Sequence, residues 1–155
     1  MVKEKKIVSE KFIEDSGYLF WQTSMLWERS VKKVLDNYEV TLTQFYVMAA
    51  VNELPKGSIQ NEISVYLNID RMMTSRIVTH LRERGIFIVR SKDRSPASFK
   101  KVVTFTPAGE KLFNIVYKEY KVTVNEFFDN LELPTFRELL PDVFSKILRD
   151  VILDV

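Results

Sequence analysis

Residues 59–106 decide the fold that we expect from this sequence, and they read IQNEISVYLNIDRMMTSRIVTHLRERGIFIVRSKDRSPASFKKVVTFT. The spacing of apolar residues predicts a short helix at 58–66 and a second helix at 71–84, separated by a tight turn. Asp70 can cap the second helix by accepting hydrogen bonds from its first free amides. Gly85 is a typical C-terminal stop for that helix.

Two β-rich runs follow the second helix and predict a hairpin. Residues 86–91 and 100–106 are rich in β-branched and aromatic side chains, and residues 92–99 form the tip between them. Thr106 can cap the next helix, where Pro107 takes the first position without loss of a needed amide. The sequence therefore predicts a mainly α fold with a small β-hairpin wing, that is, a winged helix-turn-helix.

The flanking segments predict longer helices with wide apolar stripes. Helical spacing runs from about Ser9 to Tyr38, where Gly17 can mark a break near the start, and Thr41 with Gln44 predicts a capping box for the next helix. A stripe wider than one narrow face indicates that a second subunit covers part of it. We therefore expect an N-terminal dimerisation helix in residues 1–40, a winged helix-turn-helix DNA-binding domain in 41–106 and C-terminal dimerisation helices in 107–155. Pro141 in the last helix is expected to kink it or to start it anew.

Composition excludes several function classes. The 155 residues contain no cysteine and one histidine, so thiol chemistry and a cysteine or histidine metal site are not expected. No glycine-rich phosphate loop and no carboxylate pair in a motif context are present, so we expect neither an enzyme nor a cofactor. No apolar run of membrane-spanning length and no secretory signal is visible, so the sequence predicts no membrane partner and a cytoplasmic location.

Charge is distributed unevenly along the chain. Residues 42–106 hold 10 Lys and Arg against 5 Asp and Glu, whereas the rest of the chain holds 13 against 16. A basic block between mildly acidic flanks is typical of a nucleic-acid-binding domain. The alternative is chance clustering on a solvated face.

The second helix of the central block carries the candidate DNA-reading residues. At about 100° per residue, Met73, Ile77 and Leu81 fall together, with Val78 on their flank, and we expect them to face the core. The opposite face holds short polar and guanidinium side chains, the types that read base edges in the major groove. The candidate DNA-binding residues are Arg71, Met72, Ser75, Arg76 and Thr79, with Arg82 on the flank.

The wing tip adds a second candidate contact. Lys92 and Arg94 project from a hairpin tip that could reach the minor groove, whose negative potential favours an inserted arginine. The alternative for both elements is a solvated helix and a charged loop with no partner. Their order and spacing together favour DNA binding.

The sequence resembles the MarR family of bacterial winged-helix regulators. The resemblance covers roughly residues 40–113 and lies in LTQFYVMAAV at 42–51, in the helix-turn-helix quoted above, in KDR at 92–94 and in VVTFTPAGEKL at 102–112. It implies a homodimer with interlocking terminal helices that binds a pseudo-palindromic double-stranded DNA operator in the nucleoid, most often as a ligand-responsive repressor. It also implies that Ser75 and Arg76 match the family's recognition-helix pair, and that Asp93 braces the wing beside Arg94.

The chain departs from the family pattern at three places. Ile59 stands at a usual capping position, so that Ser58 could cap one residue earlier. Ser95 replaces a second wing arginine, and His80 replaces an arginine near the end of the recognition helix. Fewer phosphate contacts and modest DNA affinity would follow. A protein-interaction module on the same fold, without sequence-specific DNA binding, is therefore the competing hypothesis.

Aromatic side chains suggest a candidate ligand pocket for a small-molecule effector. Trp21, Trp27 and Tyr46 lie on the helices between which effectors often bind in the family that the sequence resembles. Plain packing in the core and at a dimer interface is the favoured alternative.

Overall fold

The described residues form six α-helices, a short 3-10 turn and one β-hairpin. The structure is a computed structural model that describes residues 15–91, 100–129 and 134–152; of residues 134–136 and 150–152 it describes the backbone only. The elements are α1 (Ser16–Leu35), a 3-10 turn (Asp36–Tyr38), α2 (Leu42–Glu53), α3 (Gln60–Leu67), α4 (Arg71–Glu83), β1 (Phe87–Ser91), β2 (Lys101–Phe105), α5 (Pro107–Asp129) and α6 (Pro134–Ile152). This order confirms the expected mainly α fold with a β-hairpin wing.

Helix α1 is capped by Asp15, whose side chain accepts a hydrogen bond from the Tyr18 amide at 2.7 Å. Gly17 therefore lies in the first turn of the described helix, and the expected start near Ser9 falls outside the described residues. Only the C-terminal half of α1 reaches the core, through Val31 and Leu35.

Helix α2 forms the centre of the core. The expected capping box is present: the Gln44 amide donates to Thr41 Oγ1 at 3.2 Å, and the Thr41 amide donates to Gln44 Oε1 at 3.0 Å. Phe45 is almost fully buried, and its ring centroid lies 4.4 Å from that of Tyr120 on α5. The other fully buried residues of α2 are Val47, Met48 and Ala50. Burial of so much of one helix places it between α1 and α5 on one side and the helix-turn-helix on the other.

The hairpin is antiparallel, with Phe87 opposite Phe105 at its base and Ser91 opposite Lys101 at its outer end. A further contact that the sequence did not predict joins it to the helix-turn-helix. Ile59 forms a β-bridge with Val102, and the Val103 amide donates to the Ser58 carbonyl at 3.2 Å. The start of α3 is therefore fixed to the wing.

The core face of α4 differs from the expected one. Thr74, Val78 and Leu81 are fully buried, whereas Met73 is 44% exposed and Ile77 is only partly buried. The prediction that Met73 faces the core was wrong. The prediction is confirmed for Leu81 and also for Ile77, which packs against the core although it is only partly buried. Thr74 tolerates burial because its hydroxyl donates to the Asp70 carbonyl at 3.0 Å, which satisfies the polar group inside the helix.

Two further local expectations were tested by the structure. Ser58 does not cap α3, because its hydroxyl donates to the Pro55 carbonyl at 2.7 Å, and Glu62 instead accepts from the Ile59 amide at 2.8 Å. Pro141 lies inside α6, which continues on both sides of it as one helix, so it does not start a new one.

Candidate nucleic-acid interface

The exposed face of α4 carries most of the candidate DNA-binding residues. Met72 is 67% exposed, Arg76 is exposed and Thr79 is half-buried. Their spacing of four and three residues puts them on one side of the helix, opposite the buried Thr74 and Val78. Of the remaining candidates, Arg71 is exposed and Ser75 is half-buried. This side of α4 can therefore enter a groove without disturbing the core.

The turn before α4 fixes how the helix begins. Asn68 ends α3 in the left-handed conformation at φ 52°, which asparagine tolerates better than most residues. Asp70 accepts from the Met73 amide at 2.9 Å, which confirms the expected cap. The first turn of α4 beyond this cap contains no acidic residue and contains Arg71. Its positive helix end and its arginine both favour an anionic partner.

The wing tip, with Lys92, Asp93 and Arg94, lies outside the described residues. The described root of the wing holds three exposed basic residues that the sequence reasoning passed over, Arg90, Lys100 and Lys101. Arg90 pairs with Val102 and Lys101 with Ser91, the last two register positions before the tip. A count of basic residues in the two β-rich runs could have identified them.

Helix α3 is different in character from α4. Its sequence QNEISVYL contains no Lys or Arg, and it exposes Val65 at 71% and Tyr66 at 57%. Any contact of this helix with phosphates would therefore rely on neutral donors.

The three aromatic residues of the candidate ligand pocket do not come together. The Trp27 ring lies 6.0 Å from Tyr120 and 5.2 Å from Phe127, and the Tyr46 and Tyr120 hydroxyls lie 2.9 Å apart. Trp21, by contrast, is 56% exposed on α1. Burial, followed by the hydrogen bond with Tyr46, raises the pKa of Tyr120. Trp27 and Tyr46 thus share an aromatic cluster around Tyr120 that packs α5 against α1 and α2.

An open hollow of about 730 Å³ lies elsewhere, between the end of α3 and α6. Tyr66 and Ile69 line it on one side, and Phe144 and Leu148 on the other. Sequence reasoning did not place a cavity here, because it requires knowledge of where α6 returns.

The terminal helices leave large apolar side chains exposed. Phe20 on α1 is 68% exposed, and Phe144 on α6 is 61% exposed. The others at or above two-fifths exposure on these two helices are Leu19, Trp21, Met25, Leu26, Leu139, Val143 and Ile147. A face of this size is rarely left uncovered on a soluble monomer.

Side chains that could bind a metal ion do not cluster among the described residues. No group of three or more His, Cys, Asp or Glu side chains that could hold a metal ion occurs in the described part of the chain. His80 is exposed on α4. Among the residues that the structure describes, no helix is long and apolar enough to cross a membrane.

Comparison with known proteins identifies the fold. No family model matches the chain. Over 80 residues it is 30% identical to YdcH of Bacillus subtilis, an uncharacterized HTH-type transcriptional regulator; the match covers 50% of this chain and 54% of that protein. The chain thus spans about half the length of the curated relative that it matches.

Solved structures match over more of the chain. AbsC, a MarR family transcriptional regulator from Streptomyces coelicolor, has a TM-score of 0.77 at 11% identity, over 95% of this chain and 98% of that one. MepR of Staphylococcus aureus, solved as a DNA complex, has a TM-score of 0.74 at 17% identity, over 92% and 99%. CouR of Rhodococcus jostii, solved with p-coumaroyl-CoA, has a TM-score of 0.70 at 18% identity, over 87% and 95%. The chain therefore has the fold of MarR family regulators, as its sequence resemblance implied.

Proposed function

We propose that this protein is a homodimeric, sequence-specific double-stranded DNA-binding transcriptional regulator that acts as a ligand-responsive repressor in the bacterial cytoplasm, at the nucleoid. The observation that carries the proposal is the exposed side of α4. It offers Met72, Arg76 and Thr79 along one face, and the buried Thr74, Val78 and Leu81 hold the helix from behind.

The side chains of that face suit base reading. Arg76 can donate two hydrogen bonds to a guanine, Met72 can contact a thymine methyl, and Thr79 and Ser75 can bond a base or a phosphate. Arg71, beside the capped helix start, is suited to a phosphate. Arg90 and Lys101 at the wing root add positive charge for the DNA backbone. We expect Lys92 and Arg94, which lie outside the described residues, to contact the minor groove, with Asp93 as the brace that the family resemblance implies.

A homodimer supplies a second α4 helix, which can bind the second half-site of the operator. The exposed apolar residues of α1 and α6 support mutual covering of these helices by two copies. Two copies related by a two-fold axis would read a pseudo-palindromic operator with two equivalent α4 helices. That MepR was solved with DNA and CouR with p-coumaroyl-CoA supports, on the same fold, DNA as the partner and a small-molecule effector as the signal.

Duplex DNA at two salt concentrations tests this proposal. The probes are a random-sequence duplex and the duplex enriched from a randomised library by repeated rounds of binding. A DNA-binding protein loses affinity for both probes steeply as salt rises, through counterion release, and a regulator binds the enriched duplex more tightly. Failure of the library to enrich any sequence would contradict sequence-specific regulation.

The competing function is a protein-interaction module without sequence-specific DNA binding. The observation in its favour is α3, which exposes Val65 and Tyr66 and has no basic residue. An apolar patch on the helix that would lie across the DNA backbone is better suited to a protein partner than to phosphates. Weak binding to both duplexes with a shallow salt dependence would favour this alternative.

A further inference from the structure

The C-terminal end of α4 is held by a side chain that belongs to neither the core nor the exposed reading face. Arg84 follows the last residue of α4, and its guanidinium donates to two successive backbone carbonyls. One hydrogen bond runs to the Glu39 carbonyl at 2.6 Å, and the other to the Tyr38 carbonyl at 3.1 Å. Both acceptors lie in residues 36–40, the segment that joins α1 to α2, which we call the α1–α2 corner.

The α1–α2 corner has an unusual backbone that gives these carbonyls a fixed direction. Glu39 adopts the left-handed conformation at φ 53°, which is uncommon for a residue other than glycine. Val40 is buried, and its amide donates to the Leu35 carbonyl at 3.2 Å. The two carbonyls are thus held side by side, where the planar fork of an arginine can bond both at once.

The corner is itself attached to α5. The Tyr38 hydroxyl donates to Glu119 Oε1 at 2.6 Å, a contact that spans 81 residues of sequence. This bond to a carboxylate is the first cause of the raised pKa of Tyr38. Helix α5 also packs along α1, so the corner is tied to both long helices next to the recognition unit.

We infer that Arg84 is a positioning residue that, together with the Tyr38–Glu119 contact, sets the orientation of α4 relative to α1 and α5. This inference rests on the proposed function, because orientation matters only if α4 reads DNA. In a dimer held by its long helices, the angle between the two recognition helices depends on how each α4 is attached to its own frame. A small change at the corner would move both reading faces relative to the two half-sites.

The alternative is that Arg84 contributes only charge or general stability. Its salt bridge to the Glu39 carboxylate, at 3.9 Å, is exposed on the Glu39 side and adds little. The apolar core does not include Arg84, and its side chain remains 24% exposed. Removal of the guanidinium should therefore leave the core intact and release the end of α4 from the corner.

The test combines hydrogen exchange with DNA binding in four variants of the full chain. Arg84→Ala removes the fork, and Arg84→Lys keeps the charge but cannot bond both carbonyls in the same geometry. Tyr38→Phe removes only the hydroxyl that contacts Glu119. Arg82→Ala is the control for the exchange measurement, because Arg82 is an exposed arginine in the last turn of α4, two residues before Arg84.

We expect Arg84→Ala to accelerate amide exchange in residues 36–40 and 80–86 by about tenfold, the size expected for loss of a charge-assisted hydrogen bond. Affinity for the enriched duplex should fall by roughly tenfold, because fewer molecules hold the competent orientation. The slope of affinity against salt should stay at the parental value, because no phosphate contact is lost. In Arg84→Lys and Tyr38→Phe, amide exchange and affinity for the enriched duplex should change in the same direction by smaller factors. Arg82→Ala should leave amide exchange in residues 36–40 unchanged.

Two results would overturn the inference. One is parental exchange and parental affinity in Arg84→Ala. The other is a salt slope that falls by about one unit, which would make Arg84 a phosphate contact. If Arg84→Ala does not fold, Arg84→Lys and Tyr38→Phe decide by the same criteria. If the unchanged protein binds neither duplex, the proposed function fails and with it the role of Arg84 in DNA binding, whereas the exchange rates still decide whether Arg84 ties α4 to the corner.

Discussion

Gly109 lies where the first turn of α5 crosses the backbone of Ile86. A Cβ atom at this position would lie 2.1 Å from the Ile86 carbonyl oxygen and 2.8 Å from its carbon, distances that no side chain can occupy. The same carbonyl accepts the Thr106 amide at 2.9 Å, so neither backbone is free to move away. Glycine is therefore required here by close approach between two backbones.

We expect Gly109→Ala to destabilise the protein by about 1–3 kcal/mol, the usual range for overpacking of a close contact. Urea unfolding followed by circular dichroism measures this change. Ala108→Gly is the control, because residue 108 is exposed in the same turn and should lose no more than about 1 kcal/mol of helix propensity. A Gly109→Ala protein as stable as the parent would show that the two backbones can separate without cost.

Arg76 is the residue of α4 from which the largest effect on sequence recognition is expected. It is exposed, in the middle of the side that carries Met72 and Thr79. Loss of one bidentate contact with a base should cost about 1–3 kcal/mol of discrimination. Arg76→Ala should therefore weaken binding to the enriched duplex more than binding to random DNA, as measured by fluorescence anisotropy.

The control for Arg76 is Arg29→Ala, which removes the same charge from an exposed position on α1. It should have little effect on either duplex. Equal loss of affinity on both duplexes in Arg76→Ala would assign Arg76 to the phosphate backbone rather than to a base.

At the scale of elements, the sequence predicted what depends on local chemistry. The structure contains the predicted cap at Asp70 and the predicted capping box of Thr41 and Gln44. It also contains the predicted helix stop at Gly85, whose φ is 72°. It failed where tertiary packing decides. Thr74 replaced Met73 in the core face because its hydroxyl is satisfied within its own helix, a compensation that apolar periodicity cannot register.

The same limit applies to contacts between elements. The bridge from Ile59 to Val102 and the hydrogen bonds from Arg84 to the α1–α2 corner join segments more than 40 residues apart. Neither has a local signature, since an isoleucine before a helix and an arginine before a glycine are common. The residues of α4 expected to contact DNA could be predicted from the helical spacing of the sequence. Arg84, which we infer to position α4, could be identified only from the structure.

The function of the wing is best tested by substituting two neighbouring residues of opposite charge, Arg94 and Asp93. Its tip lies beyond the described residues, and its root carries the exposed Arg90 and Lys101. Arg94→Ala should lower affinity and flatten the log–log salt slope by about one unit, with thermal stability changed by less than about 0.5 kcal/mol. Asp93→Ala should also impair binding although it removes a negative charge, because the wing would lose the brace that we propose for Asp93.

A count of charges alone predicts that Asp93→Ala binds DNA more tightly. The two variants together therefore distinguish a brace from a simple charge effect. The measurement is affinity for the enriched duplex over a series of salt concentrations. Tighter binding by Asp93→Ala, together with parental binding by Arg94→Ala, would mean that the wing does not touch DNA.

At the scale of the whole molecule, we expect the terminal helices to form the dimer interface. On α1 the exposed apolar residues concentrate in the first half, including Phe20 and Trp21, whereas its second half reaches the core. On α6 they recur as Phe144 and Ile147, three residues apart and therefore on one side of the helix. Because the described winged domain does not cover these faces, a second copy is the simplest cover.

We therefore expect sedimentation at micromolar concentration to show a particle of twice the 18.2 kDa chain mass. Phe144→Asp should shift it toward the monomer, because a charge would be buried at the interface without a partner. Met72→Asp is the matched control, since Met72 is 67% exposed on α4 and does not line the hollow that Phe144 lines, and its substitution should leave the dimer intact. Only an 18.2 kDa species in the unchanged protein would contradict the dimer, and each α4 would then have to read DNA without a symmetric partner.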